Sequence, residues 1–245
     1  DNILGQHNMQ LRSRTIREQD LERPNRRGWE LLLYLVLHRI PIDVAVIGRD
    51  LWPDEELSQV RNNNRQAIFR IHTDLAYNHD IKIVDTRAGA YVLSDDVRIT
   101  TDAEEMETLF ERTKHMPESA DKLETLKQAF SLYHGRLFEA GEAEMGAWMI
   151  PFTSHYNQIF IDITRELLEM LGRQKDYHCL IEYGSEAIRK EPGNQDAYYW
   201  VIQASEKIGT RATKERCLAA AQEELSEEEY ERLMEMLAVM HVEET

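Results

Sequence analysis

Side chains that can hydrogen-bond to nucleobases and phosphates cluster between residues 61 and 70. Asn and Gln can bond bidentately to adenine, Arg binds guanine or phosphate, and an exposed aromatic ring can touch a thymine methyl group. No Glu occurs from residue 58 to residue 73, where three Arg do. The sequence therefore predicts a nucleic-acid contact, and its candidate residues are Arg61, Asn62, Asn63, Arg65, Gln66, Phe69 and Arg70.

Apolar residues at helical spacing predict the element that must carry these side chains. Ile68, Ile71 and Leu75 recur at intervals of three and four, which indicates a helix from about Leu57 to Leu75 with this face packed inward. The opposite face then presents Asn62, Gln66, Phe69, Arg70 and Thr73. The alternative is a polar helix face that meets only solvent.

The residues upstream of this helix predict the elements that support it. The loose alternation up to Leu21 suggests two or three short strands, and an apolar stripe predicts a helix from about Arg26 to His38. A short helix follows Asp43, which suits an N-cap, and it ends at Leu51. Trp52 is expected in the core between two helices rather than at a contact.

The residues downstream predict a β-hairpin. Two β-rich runs, 81–84 and 90–93, flank a turn of residues 85–89. Arg87 at that turn is a candidate contact for a phosphate or the minor groove. Helix, turn, helix and hairpin is the order of a winged helix-turn-helix, which lays its second helix in the major groove of DNA.

The second part of the chain is predicted to be helical throughout. A helix capped by Asp102 is followed by one ending at Gly135 and a long one from about Trp148 to Gly172, with Pro151 in its first turn or at a kink. The helices Tyr177–Lys190 and Gln195–Ile208 are similar to a tetratricopeptide repeat pair, and a generic helical bundle is the alternative.

The predicted fold class is mainly α: an N-terminal α+β winged helix-turn-helix domain, residues 1–98, followed by an all-α TPR-like helical domain, residues 99–245. The formal net charge is −16, but residues 1–100 hold 14 Lys and Arg against 15 Asp and Glu, while residues 101–245 hold 15 against 30. Phosphate would repel the acidic second part. We therefore expect residues 1–100 alone to bind DNA at least as well as the whole chain.

The sequence lacks the motifs of nucleotide-binding proteins, of hydrolases and of metal sites. The chain has neither a P-loop nor a GxGxxG or GxSxG motif, and no two of its nine His are spaced for a metal at i+3 or i+4. We expect no enzyme activity, cofactor or metal. The two Cys, the lack of an apolar run of the roughly 18 residues that a membrane span needs, and the lack of a signal peptide predict a cytoplasmic protein without membrane contact. Because the chain begins at Asp1, a processed or partial chain is expected.

Several short motifs, in order, resemble those of the actinobacterial antibiotic regulatory proteins. In that family an OmpR-type winged helix, the output domain of response regulators, precedes a bacterial transcriptional activation domain. The matching residues are Leu51–Glu55, Arg65–Ile71 with Leu75, Gly89–Leu93 with Asp102, and Leu132–Leu137, with weaker support from Ala187–Pro192 and Gly209. The resemblance implies a sequence-specific DNA-binding transcription activator whose acidic helical domain serves self-association or protein contacts.

The implied partners are double-stranded DNA, RNA polymerase or another regulator, and a second copy in a homodimer. Four positions depart from the family pattern. His72 and Thr73 stand where the family usually has Arg and Lys, and Asp74 adds an acid beside them. Ala90 replaces the usual Gly before the hairpin Tyr. These departures favour the alternative of a protein-interaction adaptor whose degenerate winged helix no longer binds DNA.

Overall fold

The computed structural model describes residues 8–11, 14–17, 26–75, 82–135 and 146–243. Contacts within the chain form two compact units. The first contains Asp1–Asp102 and Leu137–Ser154, and the second contains Ala103–Arg136 and His155–Thr245. The described part of the first unit therefore includes a segment, residues 146–154, that lies beyond the predicted boundary between residues 98 and 99.

The first unit begins with a small antiparallel hairpin. Strand β1 is Asn8–Leu11 and strand β2 is Arg14–Arg17, paired so that Asn8 lies opposite Arg17. These are two of the two or three strands predicted before Leu21. The elements that follow are α1 (Arg26–His38), β3 (Ile42–Asp43), α2 (Val44–Leu51), α3 (Leu57–Leu75), β4 (Val84–Arg87) and β5 (Ala90–Leu93).

Helices α1, α2 and α3 have the predicted bounds because local signals define them. The Asp43 carboxylate accepts a hydrogen bond of 2.7 Å from the backbone N–H of Ala45 and so caps α2, as predicted. The Trp52 ring is buried in the core between the helices, also as predicted. Helices α2 and α3 pack closely at Gly48 and Val60. A Cβ at Gly48 would lie only 2.9 Å from the Val60 side chain, so this position needs a glycine.

The three-stranded sheet has the antiparallel order β3-β5-β4, so β4 is an edge strand. The predicted bounds of the first strand, residues 81–84, are wrong, because the strand begins at Val84 and ends at Arg87. Its exposed polar residues gave no hydrophobic alternation. The turn is also tighter than predicted, since Ala88 and Gly89 both have positive φ, 50° and 87°. Such residues match the twist of the strands in a two-residue hairpin turn.

Seven helices follow the hairpin within the described residues. They are α4 (Asp102–Thr113), α5 (Ala120–Leu132), α6 (Ile150–Arg173), α7 (Tyr177–Lys190), α8 (Gln195–Lys207), α9 (Arg211–Glu224) and α10 (Glu227–Glu243). Pro151 lies in the first turn of α6, which was one of the two predicted alternatives; a kink was the other. Trp148 precedes α6 in a 3₁₀ turn instead of opening the helix. None of the helices, as far as the chain is described, is long and apolar enough to cross a membrane.

The helices of the second unit pack at small residues and around the buried Lys190 side chain. Helix α8 packs against α7, α9 and α10. A Cβ at Gly184 would lie 2.5 Å from Val201, which explains a glycine within α7. The Lys190 ammonium is buried, donates to the Phe130 carbonyl at 3.2 Å and lies 4.5 Å from the centre of the Phe130 ring. These contacts fix α7 against the end of α5.

Candidate nucleic-acid interface

Helix α3 has one buried face and one exposed face. Of the predicted inward residues, Ile71 is buried and Ile68 is partly buried against the core, and Asn64 and Ala67 on the same side are buried too, so this face is confirmed; the side chain of Leu75 lies outside the described residues. The exposed face, here called the outer face of α3, contains six of the seven candidates on this helix: Arg61, Asn62, Arg65, Gln66, Phe69 and Arg70. Thr73 is exposed as well. The helix therefore presents hydrogen-bonding side chains of both donor and acceptor character along several turns.

Asn63 does not belong to the outer face. It is only 6% exposed, and its Oδ1 accepts a hydrogen bond of 3.0 Å from Nε2 of Gln59. The prediction placed it with its neighbours because of its residue type. Its spacing was the better signal: Asn63 lies three residues after Val60 and four before Ala67, both buried.

Phe69 is the most exposed large hydrophobic side chain in the described part of the chain, at 69%. The helix holds it outward because Ile68 and Ile71 occupy the inner side, where both pack with the core. Thr73 donates from its hydroxyl to the Phe69 backbone carbonyl at 2.9 Å. An aromatic ring in this position can contact a thymine methyl group.

Arg87 lies at the end of β4, beside the tight turn. Its guanidinium is 2.6 Å from an Asp95 carboxylate oxygen and 3.6 Å from Asp85, which also pairs with Lys82 at 2.7 Å. The hydrogen bond that the guanidinium donates to Asp95 is the main cause that raises the pKa of Arg87. To bind a phosphate, Arg87 would exchange the Asp95 carboxylate for it, and exposed ion pairs of this kind contribute little stability.

His72 has a structural role that its sequence position did not indicate. Its Nε2 accepts hydrogen bonds from the backbone N–H groups of Ile83 at 3.0 Å and Val84 at 3.2 Å. Burial is the main reason that the pKa of His72 is lowered. At a position where the family that the sequence resembles usually has Arg, this side chain therefore joins α3 to the start of β4.

A segment far along the sequence packs on α1 and α2. We call residues 146–152 the strap. The Trp148 ring meets the Tyr34 ring edge-on at 5.0 Å between centroids, and Phe152 meets His38 in the same way at 5.0 Å. Tyr34 donates to Asp50 of α2 at 2.6 Å. The strap therefore braces two helices against which α3 packs.

The chemistry of metals and thiols finds no support in the described residues. Among them, no group of three His, Cys, Asp or Glu could hold a metal ion. Burial raises the pKa of Cys217 to about 12, and it is also the main cause that raises the pKa of Cys179. Neither thiol has the lowered pKa that makes a cysteine reactive near neutral pH.

Comparison with known proteins points to one family. The model of the bacterial transcriptional activator domain matches residues 101–241. Among solved structures, the chain is similar to Mycobacterium tuberculosis EmbR, in a complex with a low-affinity phosphopeptide, with 15% identity and a TM-score of 0.59. The match covers 86% of this chain and 59% of EmbR, and at this identity it shows a shared fold. The comparison with curated proteins gave no match.

Proposed function

Because the chain belongs to the family of proteins with a bacterial transcriptional activator domain, as the actinobacterial antibiotic regulatory proteins do, we propose that it regulates transcription by binding double-stranded DNA. The DNA-binding part is a winged helix-turn-helix. Helices α2 and α3 form the helix-turn-helix, and strands β4 and β5 form the wing. Activation rather than repression is the action that the family supports.

The outer face of α3 is the observation that carries this proposal. Its Asn and Gln side chains supply the amides that recognise adenine, and its Arg side chains suit guanine and phosphate. The stretch from residue 57 to residue 73 contains no Asp or Glu, although the whole chain has 45. A phosphate surface would therefore meet no acidic side chain along this stretch, and the one acid of α3 is Asp74, near the end of the helix.

The acidic helical part has a different role in the proposal. Residues 101–245 have twice as many acidic as basic side chains, so they stay off the DNA. We propose that they mediate self-association as a homodimer, or contact with RNA polymerase or another regulator. This assigns the protein a regulatory and not an enzymatic function, in the cytoplasm.

A protein-interaction adaptor that does not bind DNA is the second candidate. It is favoured because the side chains of His72 and Arg87 already make hydrogen bonds within the protein. His72 is engaged with the backbone of β4, and the Arg87 guanidinium is paired with Asp95. In this alternative the winged helix serves only as a scaffold or a protein contact.

Selection of DNA sites from a random library, with the full chain as bait, separates the two candidates. A DNA-binding regulator should enrich a defined site, and its affinity should fall as the salt concentration rises. Arg61→Ala on the outer face should weaken binding, whereas Arg216→Ala, exposed on α9, should not. Failure to enrich any site, together with equal behaviour of these two variants, would support the adaptor.

A further inference from the structure

Gln59 and Asn63 form a pair on the first turns of α3. Gln59 is exposed and Asn63 is buried, and the Gln59 Nε2 donates to the Asn63 Oδ1 at 3.0 Å. The Asn63 Nδ2 is buried and has no hydrogen-bond partner. The two residues are four apart, so they lie one above the other along the helix. The buried amide of Asn63 thus holds the exposed amide of Gln59 in place.

The position of Gln59 extends the outer face toward the start of the helix. Gln59, Asn62 and Gln66 are spaced by three and four, and all three are exposed. Gln59 is the third residue of α3. In helix-turn-helix proteins it is the N-terminal residues of the recognition helix that contact base edges. Gln59 was not among the residues that the sequence pattern selected.

The bond to Asn63 leaves the recognition capacity of Gln59 intact. A Gln amide has one carbonyl oxygen and two N–H groups. One N–H donates to Asn63, so the oxygen and the second N–H remain as an acceptor and donor pair. That pair matches the N6 donor and N7 acceptor that adenine shows in the major groove. The bond also reduces the rotamer freedom that an exposed Gln would lose on binding.

We propose that Gln59 reads a base pair, with adenine preferred, and that Asn63 is a positioning residue that holds the Gln59 amide ready for it. This inference rests on the proposed function, because it requires that α3 enters the major groove. The competing explanation is a bond between neighbouring side chains that only steadies the helix, as i,i+4 pairs commonly do.

Site selection and sequencing with full-length variants tests the proposal. Gln59→Ala should relax the base preference at one position of the site by about five- to a hundredfold. Asn63→Ala should relax the same position, and the double variant should show no further loss there. Asn63→Asp keeps an oxygen that accepts from Gln59, so it should retain the preference even where its melting temperature falls. Base preference is the readout because a loss of fold lowers affinity on all sequences alike.

The outcomes separate this proposal from the one on which it rests. If the unaltered protein enriches no DNA site, the proposed function is wrong and this inference is wrong with it. If the unaltered protein enriches a site and Gln59→Ala keeps every preference, the inference alone is overturned. If Gln59→Ala relaxes a position that Asn63→Ala leaves unchanged, or if Asn63→Asp relaxes it as much as Asn63→Ala does, Gln59 reads the base and the positioning role of Asn63 is overturned.

Discussion

The neutral imidazole of His72 stabilises the junction between α3 and β4. Its Nε2 can accept the two backbone N–H groups only while it carries no proton. Burial, and next the charge of Lys82, lower its pKa, while Asp85 opposes them. In the unfolded chain the pKa is about 6.5. Between that value and the lower folded value, the unfolded state binds more protons, so the free energy of unfolding falls as the pH falls.

We therefore expect the contribution of His72 to be complete above about pH 6.5 and to decrease below it. His72→Gln should lower the melting temperature at pH 7.5 and should reduce the dependence of the melting temperature on pH between 7.5 and 5.5. His115→Gln is the control, because that side chain is exposed. Equal pH dependence in the unaltered protein and His72→Gln would contradict this role.

The ion pair of Arg87 with Asp95 should regulate how strongly the wing binds DNA. Arg87→Ala is expected to weaken binding about equally on all sequences and to reduce the slope of log affinity against log salt by roughly one unit. Asp95→Ala releases the guanidinium of Arg87, so it should increase the affinity for DNA. The same substitution should give a smaller increase in a protein that also carries Arg87→Ala. A loss confined to particular base pairs would show instead that Arg87 reads sequence.

At the scale of elements, the proposed function predicts that the two faces of α3 separate DNA recognition from stability. Gln66→Ala should relax base preference at one or two positions with little change in melting temperature, since the side chain is exposed. Ile71→Ala should leave the preference unchanged and lower stability by about 2–5 kcal/mol, because it opens a cavity. Site selection and thermal unfolding of both variants check this. Unchanged preference in Gln66→Ala would argue against base reading at that position.

The close approach of α6 and α8 at Gly172 gives a second prediction for elements. A Cβ there would lie 2.4 Å from the Trp200 ring. Gly172→Ala should therefore reduce stability by about 1–3 kcal/mol through overpacking. Gly193→Ala is the matched control, because a Cβ at Gly193 meets nothing within 4 Å. Similar unfolding curves for the two variants would mean that Trp200 moves aside without cost.

The elements that local signals define could be predicted, and those that depend on distant contacts could not. Helical spacing and the Asp43 cap gave α1, α2 and α3 their bounds. The edge strand β4 was misplaced because its polar residues carry no alternation. The burial of Asn63 could be found from spacing, whereas the bonds of His72 could not, because they join residues 11 and 12 positions apart through the fold.

For the whole molecule, the strap alters what a truncated protein should do. A chain ending at residue 100 lacks Trp148 and Phe152, the ring partners of Tyr34 and His38. We now expect such a fragment to be less stable than the first unit of the full chain, and to bind DNA less well than the charge distribution alone suggested.

Substitutions in the full chain test the strap without truncation. Trp148→Ala should lower the melting temperature and increase hydrogen exchange in α1 and α2. Trp148→Phe should keep most of the melting temperature and of the protection from exchange, because the indole N–H has no hydrogen-bond partner among the described residues. Ile150→Ala is the control, since Ile150 is 62% exposed in the same strap. Equal exchange in Trp148→Ala and Ile150→Ala would show that the strap does not support these helices.

The strap also sets an order of events during protein synthesis. His38 leaves the ribosome about 110 residues before Trp148. At typical elongation rates of about 5–20 residues per second, that interval lasts roughly 5–20 s. Until then the rings of Tyr34 and His38 lack their contacts with the strap, and a chaperone has time to cover them. The first unit is completed only when part of the activator domain has already been made, so a prematurely terminated chain cannot release a finished first unit.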